Sequence, residues 1–359
     1  MIIERLAVKG FRSLADVVWE PGKLNVLIGL NGGGKTNLLK VVRLLKASAD
    51  RKLGKFVQGE GGVMSMLWDG QATAIEIEYD GLFPYNDKRK YRLALEKEGP
   101  SYLVDRETLD AHGLPIERDR TGAFFRDDKE RRGFTPKRGE TILSFLESDW
   151  SSVAIYADAD LNPSRGPTVV SLEETVTEDA DNLIPVLHSL YTADRDFKAE
   201  IDSAMAAAFG SDFEELAFPP AADHRIQMRV HWKSLKRPQS SSDLSDGTLR
   251  FIFLATVLAN PKKPPFIAIE EPETGLHPSM LPIIADLAAQ AAEQSQIVLT
   301  THSPALLDAL GKHNPTITVV ESQEGKTRLK NVTGEELEHW LREFTLGEVY
   351  SSGQLEKIS

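Results

Sequence analysis

The sequence predicts an α/β fold: a mixed central sheet with flanking helices, and an inserted lobe of helices and strands. Three observations along the 359 residues carry that expectation. An apolar, strand-like run, Leu24 to Ile28, leads through a glycine-rich loop into a helix-like run, Asn37 to Leu45. Strand–helix alternation returns between Ser240 and Thr301, the pattern of a core with parallel strands. The stretch from about Asp80 to Glu140 breaks that texture, being rich in charge, Gly and Pro.

Taken in order, Met1 to Val8 and Asp16 to Glu20 read as short strands joined by the Gly10-Phe11-Arg12-Ser13 turn. Thr73 to Tyr79 alternates as a half-buried strand. The charged stretch, with Lys88-Arg89-Lys90 and Lys129-Glu130-Arg131-Arg132, reads as a hairpin-bearing insertion. Leu172 to Leu190 and Asp196 to Phe209 are expected as amphipathic helices, with a turn at Thr192 to Asp194. Arg225 to Trp232 reads as a strand, Leu249 to Leu258 as a helix, and Glu335 to Phe344 as a tail helix. No sustained heptad or internal repeat occurs. The expected division is 1–80, 81–240 as the insertion lobe, 241–333, and 334–359 as tail.

Gly29-Leu30-Asn31-Gly32-Gly33-Gly34-Lys35-Thr36 fits G-x-x-x-x-G-K-[ST] at every fixed site, in the strand–loop–helix context that the motif requires. Glycines let backbone N–H groups curl around a phosphate, and the helix N-terminus adds partial positive charge. Asn31, Gly32, Gly33, Gly34, Lys35, Thr36 and Asn37 are the candidate nucleotide contacts. Lys35 is expected on the β- and γ-phosphates and the Thr36 hydroxyl on Mg²⁺.

Pro265 to Ile269 is an apolar strand that ends in Glu270-Glu271-Pro272-Glu273. Glu270 is the candidate metal-side carboxylate and Glu271 the candidate general base for an attacking water. Adjacent carboxylates point to opposite sides of a regular strand, so the chain must bend here, and Pro272 is the expected cause. A further apolar strand, Gln296 to Leu299, ends in Thr300-Thr301-His302, which places His302 to reach a γ-phosphate or its water. Leu244-Ser245-Asp246-Gly247-Thr248 precedes a helix, so Ser245 and the Gly247 backbone form a second anion-binding turn.

The order phosphate loop, serine-glycine signature, Glu-Glu strand and His strand resembles the ABC-type P-loop NTPase heads of the SMC and RecF families. It resembles more closely the small AAA-like, RecF-related ATPases carrying Glu-Glu-Pro-Glu and Leu-His-Pro, and the OLD nucleases carry a similar head. Lys9 to Leu14, Gly34 to Leu39, Asp181 to Leu187 and Thr345-Leu346-Gly347-Glu348 add to the likeness, which is weakest over about 80–140 and 192–235. The resemblance implies an ATPase that binds ATP and Mg²⁺ and pairs head to head as a homodimer. Ser245 of one subunit then caps the γ-phosphate held by the other, Glu271 acts as base and His302 as switch. Arg12 is a nucleotide contact by the same analogy.

Three positions depart from the pattern. Glu270 stands where an Asp is usual, His277 where an Asp is expected after the catalytic strand, and Asp246 where transporter ATPases commonly have Gly. Gln71 lies just before the strand Thr73 to Tyr79, near the place of the metal-sensing Gln but offset from it, and is assigned no role on this pattern.

Composition narrows the function. Cysteine is absent, which excludes disulfides, thiolate metal sites and a cysteine nucleophile. No apolar run is long enough to span a bilayer, and the first ten residues lack a signal-peptide core, so a cytoplasmic protein with no membrane partner is expected. The net charge of −12 argues against a protein basic throughout. Two biological readings stand: a DNA-associated ATPase in repair or defence against foreign DNA, and a regulatory ATPase that holds or releases a separately encoded effector such as a nuclease or toxin. A transporter subunit fits poorly because the separation of Lys35 from Ser245 is long. A nuclease domain of the OLD type is not expected, since no cluster of metal-ligand carboxylates follows His302.

Overall fold

The computed structural model describes residues 1–83, 86–111, 114–119, 122–126, 131–133, 147, 150, 153–332 and 344–354. The chain forms two compact units, Met1–Val153 with Thr316–Glu338 and Leu355–Ser359, and Ala154–Pro315 with His339–Gln354. The expected helix at 335–344 falls almost wholly outside the described residues.

In the first unit an eight-stranded sheet runs in the order Leu14–Trp19, Ile2–Phe11, Ala74–Phe83, Asp87–Glu98, Ser101–Ala111, Leu114–Asp119, Gly122–Arg126, Arg131–Gly133. Every neighbouring pair is antiparallel. Alternation explains its two faces: Ile75, Ile77, Tyr79, Tyr91, Leu93 and Leu95 are buried, while Glu78 and Arg92 pair on the other side. Tyr79 lies opposite Tyr91 in register, and Trp150 packs edge-on against Tyr79 and donates to its hydroxyl at 3.0 Å. The described strands of the charged insertion therefore continue the N-terminal strands as a meander, each paired with the strand before it.

In the same unit Leu24–Ile28, buried at all five positions, pairs in parallel with Thr316–Gln323, which turns back on Lys326–Val332. The Lys35–Ala49 helix buries Leu38, Leu39, Val41, Val42, Leu44 and Leu45 on one broad face.

The second unit is built on three parallel strands, Ala154–Tyr156, Phe266–Glu270 and Gln296–Thr300, with Phe266–Glu270 in the middle. Their near-continuous apolar runs match burial on both faces. The Asp246–Ala259 helix is buried almost all round, from Leu249 to Leu258. Helices Leu183–Ala193, Arg195–Phe209, Leu281–Ala291, Pro304–Gly311 and Leu346–Ser351 and two small three-stranded sheets complete the unit.

The helix expected from Leu172 begins only at Leu183. The intervening turn is held by Asn182, whose side chain accepts from the Thr177 N–H at 2.8 Å and donates to Thr175 O at 3.0 Å. Leu172 is 94% exposed, so its place in an apolar pattern had no core to face. The strand expected over Arg225 to Trp232 is two short strands, Arg225–Ile226 and Arg229–Trp232, in different sheets.

Candidate functional site

The first unit carries the phosphate loop. Leu24–Ile28 delivers it, and Gly34 closes it at φ +117°, in the region that favours glycine. A Cβ at Gly34 would lie 2.1 Å from Thr327 Oγ1, so only glycine fits that approach. The Lys35–Ala49 helix then starts without a capping side chain, which leaves its N-terminal end shaped for an anion. Lys35 is buried, and its Nζ donates to Gly29 O at 2.7 Å and Leu30 O at 3.3 Å, spanning the carbonyls of its own loop. Asn31, Gly32 and Thr36 are exposed at the mouth, and Gly33 and Gly34 are buried behind them.

A hydroxyl chain braces this loop. Thr327 Oγ1 donates to Gly33 O at 2.8 Å and meets Ser13 Oγ at 2.7 Å, and Asn37 Nδ2 donates to Ser13 Oγ at 2.8 Å. Asn37, expected at the nucleotide, thus engages Ser13 here. Neither Ser13 nor Thr327 belongs to a motif that marks it in the sequence as part of the loop. Ser13 lies in the turn after the first strand, whereas Thr327 sits in a hairpin with no local signal. Arg12, in the left-handed region at φ +48°, forms an ion pair with Glu60, which Lys40 also contacts at 2.8 Å. Gln71 donates to Asp69 at 2.9 Å in an exposed turn.

The second unit carries the carboxylates, the His and the signature. Glu270 is the last residue of the central parallel strand. Glu271 follows at φ +44°, and its N–H donates to Thr300 O at 3.1 Å and Thr300 Oγ1 at 3.2 Å. The bend expected from Pro272 therefore sits on Glu271 itself, fixed by the neighbouring strand end. This turns the second carboxylate away from the strand's alternation, and a non-glycine residue there is uncommon and stores strain. His302 Nε2 lies 3.9 Å from Glu271 Oε1, with the His side chain 29% and the Glu side chain 51% exposed. Glu273 Oε1 accepts from the His302 N–H at 3.0 Å and the Thr301 hydroxyl at 2.5 Å.

Ser245 caps the Asp246–Ala259 helix, accepting from the Thr248 N–H at 3.1 Å. Gly247 lies in the helix's first turn, close to Gly275 O. Arg250, one turn along, directs its guanidinium at the carbonyls of Glu270 and Glu271, at 3.5 and 3.4 Å. Burial lowers its hold on its proton, and the charges of Glu273 and Glu271 oppose that. His277 is a cap as well, accepting from the Ser279 N–H at 3.3 Å. Among the described residues no group of three or more His, Asp or Glu side chains gathers as a ready metal site. The Thr36 hydroxyl and the Glu270 carboxylate are oxygen donors of the kind Mg²⁺ takes, one or two from protein with phosphate and water completing the shell. Among the described residues no helix is long and apolar enough to cross a membrane.

Residues 24–308 match the family described as "AAA domain, putative AbiEii toxin, Type IV TA system". The chain is similar to the OLD nuclease of Thermus scotoductus, 24% identical over 335 residues, covering 86% of this chain and 60% of that protein. It is similar to the DNA replication and repair protein RecF of an Arthrobacter species, 37% identical over 90 residues, 23% of this chain and 22% of that protein. The chain thus spans less than two thirds of the length of either relative. Among solved structures, an SMC head bound to the C-winged helix domain of ScpA overlays with a TM-score of 0.62 at 14% identity, covering 94% of this chain and all of that one. The SMC head domain from Thermotoga maritima overlays with a TM-score of 0.51 at 15% identity, over 93% of this chain and 100% of that one. The shared fold is the ABC-type P-loop ATPase head, a mixed α/β architecture with flanking helices.

Proposed function

This chain belongs to the AAA-domain family whose signature spans its residues 24–308, with SMC-, RecF- and OLD-like relatives, and from that premise we propose that it is an ATP-hydrolysing switch that pairs head to head when ATP binds. The observation that carries this reading is the phosphate loop: a buried Lys35 behind a loop that only Gly34 can close, at a helix start with no capping side chain. The loop N–H groups and Lys35 bind the phosphates of ATP. Thr36 and Glu270 are the residues that would hold Mg²⁺, which would supply positive charge against the phosphates. Glu271 takes the proton of the attacking water, and its left-handed backbone presents the carboxylate for that task. His302, 3.9 Å from Glu271, senses the state of that carboxylate and of the γ-phosphate. Ser245 and Gly247 receive the γ-phosphate of the nucleotide on a second copy, which makes ATP the link of a homodimer and hydrolysis its release. Arg12, held by Glu60 in this structure, is the further proposed nucleotide contact.

The biological setting we propose is DNA repair or defence against foreign DNA, supported by the RecF and OLD relatives. A regulatory ATPase acting on a separately encoded nuclease or toxin is the second reading, supported by the toxin–antitoxin description of the matched family. The test is the mass of Glu271→Gln by light scattering, with and without ATP-Mg²⁺ and then with DNA. An ATP-dependent doubling is expected, and a further DNA-bound species favours the first setting. A mass that ignores ATP refutes the switch.

A further inference from the structure

The signature turn of this chain carries a negative charge where it is proposed to receive a phosphate. Asp246 follows Ser245 in the first turn of its helix, and its side chain is 96% exposed. A carboxylate at a helix N-terminus is favourable for the helix itself. The same carboxylate opposes an approaching phosphate, because like charges brought close without solvent between them repel strongly. A signature of this composition needs a compensating cation.

Arg165 is that cation. It lies at the end of the short helical turn Pro163–Arg165, far from the signature in sequence, and its guanidinium forms an ion pair with Asp246. It also donates to Leu244 O at 2.7 Å and Ser242 O at 3.3 Å, so it clasps the backbone that leads into Ser245. In return, the Ser241 hydroxyl donates to Arg165 O at 3.2 Å. An open cavity adjoins the pair, lined by Asn162, Arg165, Asp246, Arg250, Thr274 and Gly275. Among its lining residues two guanidinium groups face the one carboxylate of Asp246, and Arg250 is already engaged by Glu271 and Glu273, which leaves Arg165 as the cation that offsets Asp246. An exposed ion pair of this kind contributes little to stability, so its consequence lies in the charge it leaves at the turn.

We infer that Arg165 is a further residue of the signature site: it cancels the Asp246 charge and holds the Leu244 carbonyl, so that this cavity accepts the terminal phosphate of a nucleotide held by a second copy of the chain. The inference rests on the proposed head-to-head pairing and adds to it a positioning residue outside the signature motif.

The test uses the full chain carrying Glu271→Gln, with light scattering over an ATP-Mg²⁺ titration. Adding Arg165→Ala is expected to raise the ATP concentration for half-dimerisation by about tenfold or more. Adding Asp246→Gly to Arg165→Ala is expected to restore most of that loss, since the charge to be offset is then gone. Binding of a fluorescent ATP analogue to each monomer should be unchanged, which shows that the variants fold and that their phosphate loops work. Dimerisation of the Arg165→Ala variant at the unaltered ATP concentration overturns the inference alone. So does a loss that Asp246→Gly fails to rescue, because Arg165 would then serve only to hold backbone carbonyls. A Glu271→Gln chain that ignores ATP altogether overturns the proposed function, and this inference with it.

Discussion

The backbone N–H of His302 donates to Glu273 Oε1 at 3.0 Å, tying the end of one parallel strand to the loop that leaves its neighbour. The Thr301 hydroxyl donates to the same oxygen, so one carboxylate holds two successive residues after Gln296–Thr300. Glu271 and His302 are thereby positioned from both sides: by Thr300 on the Glu271 N–H and by Glu273 on the His302 N–H.

Glu273→Gln replaces a charge-assisted acceptor with a neutral one, which is about half as strong. ATP turnover is expected to fall by about tenfold with nucleotide affinity unchanged, since the group acts through His302 and Glu271 rather than on the phosphates. Phosphate release and nucleotide titration measure the two separately. An equal loss of both would show that Glu273 instead supports the whole unit.

Gly34→Ala is expected to remove nucleotide binding as fully as Lys35→Ala, for a different reason. Its Cβ would meet Thr327 Oγ1 at 2.1 Å and Ser13 Oγ at 3.1 Å in a backbone region costly for any side chain, breaking the hydroxyl brace behind the loop. A stability loss of about 1–3 kcal/mol is expected for Gly34→Ala from the steric conflict, and little for Lys35→Ala. Denaturant unfolding alongside nucleotide titration checks both.

The Leu346–Ser351 helix is capped by a Thr345–Glu348 box and docks on the Pro304–Gly311 helix, which starts directly after His302 and Ser303. The Gly347 N–H donates to Asp308 at 2.6 Å, and a Cβ at Gly347 would stand 2.4 Å from Pro304 O. Gly347→Val is expected to cost about 1–3 kcal/mol by overpacking, and Thr345→Ala about 1 kcal/mol by loss of the cap. Thermal unfolding measures this, and equal midpoints for Gly347→Val and the parent would mean that the helix is not docked.

Burial, reinforced by the hydrogen bond to Asp202, pushes the Tyr191 hydroxyl up to about 12, against the opposing contacts of Lys198 and the Leu216 N–H. The folded chain therefore keeps a proton that the unfolded chain releases above the ordinary tyrosine value of about 10. This contribution is complete below about pH 10 and is lost as pH rises through about 12. Tyr191→Phe is expected to flatten the decline of the unfolding midpoint between pH 10 and 11.5, although Tyr91 and Tyr156, also pushed up by burial, retain part of it. An unchanged slope would place the alkaline loss elsewhere.

What the sequence determined by itself was the set of local conformations. The phosphate loop, the Ser245 cap, the apolar strand ending in Glu270-Glu271 and the strand ending at His302 are each written in a few contiguous residues. Periodicity, glycine placement and capping chemistry act over that range. Tertiary structure decided the partners. Thr327 braces Gly33, Arg165 pairs with Asp246, Glu273 holds His302 and Gly347 seats on Pro304, each across a sequence distance at which no local preference operates. It decided as well that the bend falls on Glu271 rather than on Pro272, and that the helix near Leu172 begins at Leu183. At Glu271 a hydrogen bond from the neighbouring strand outweighs the local pattern, and before Leu183 the Asn260 amide and the Tyr156 hydroxyl, distant in sequence, hold the carbonyls of Glu174 and Val176, because a buried polar group must find its partner wherever the returning chain supplies one.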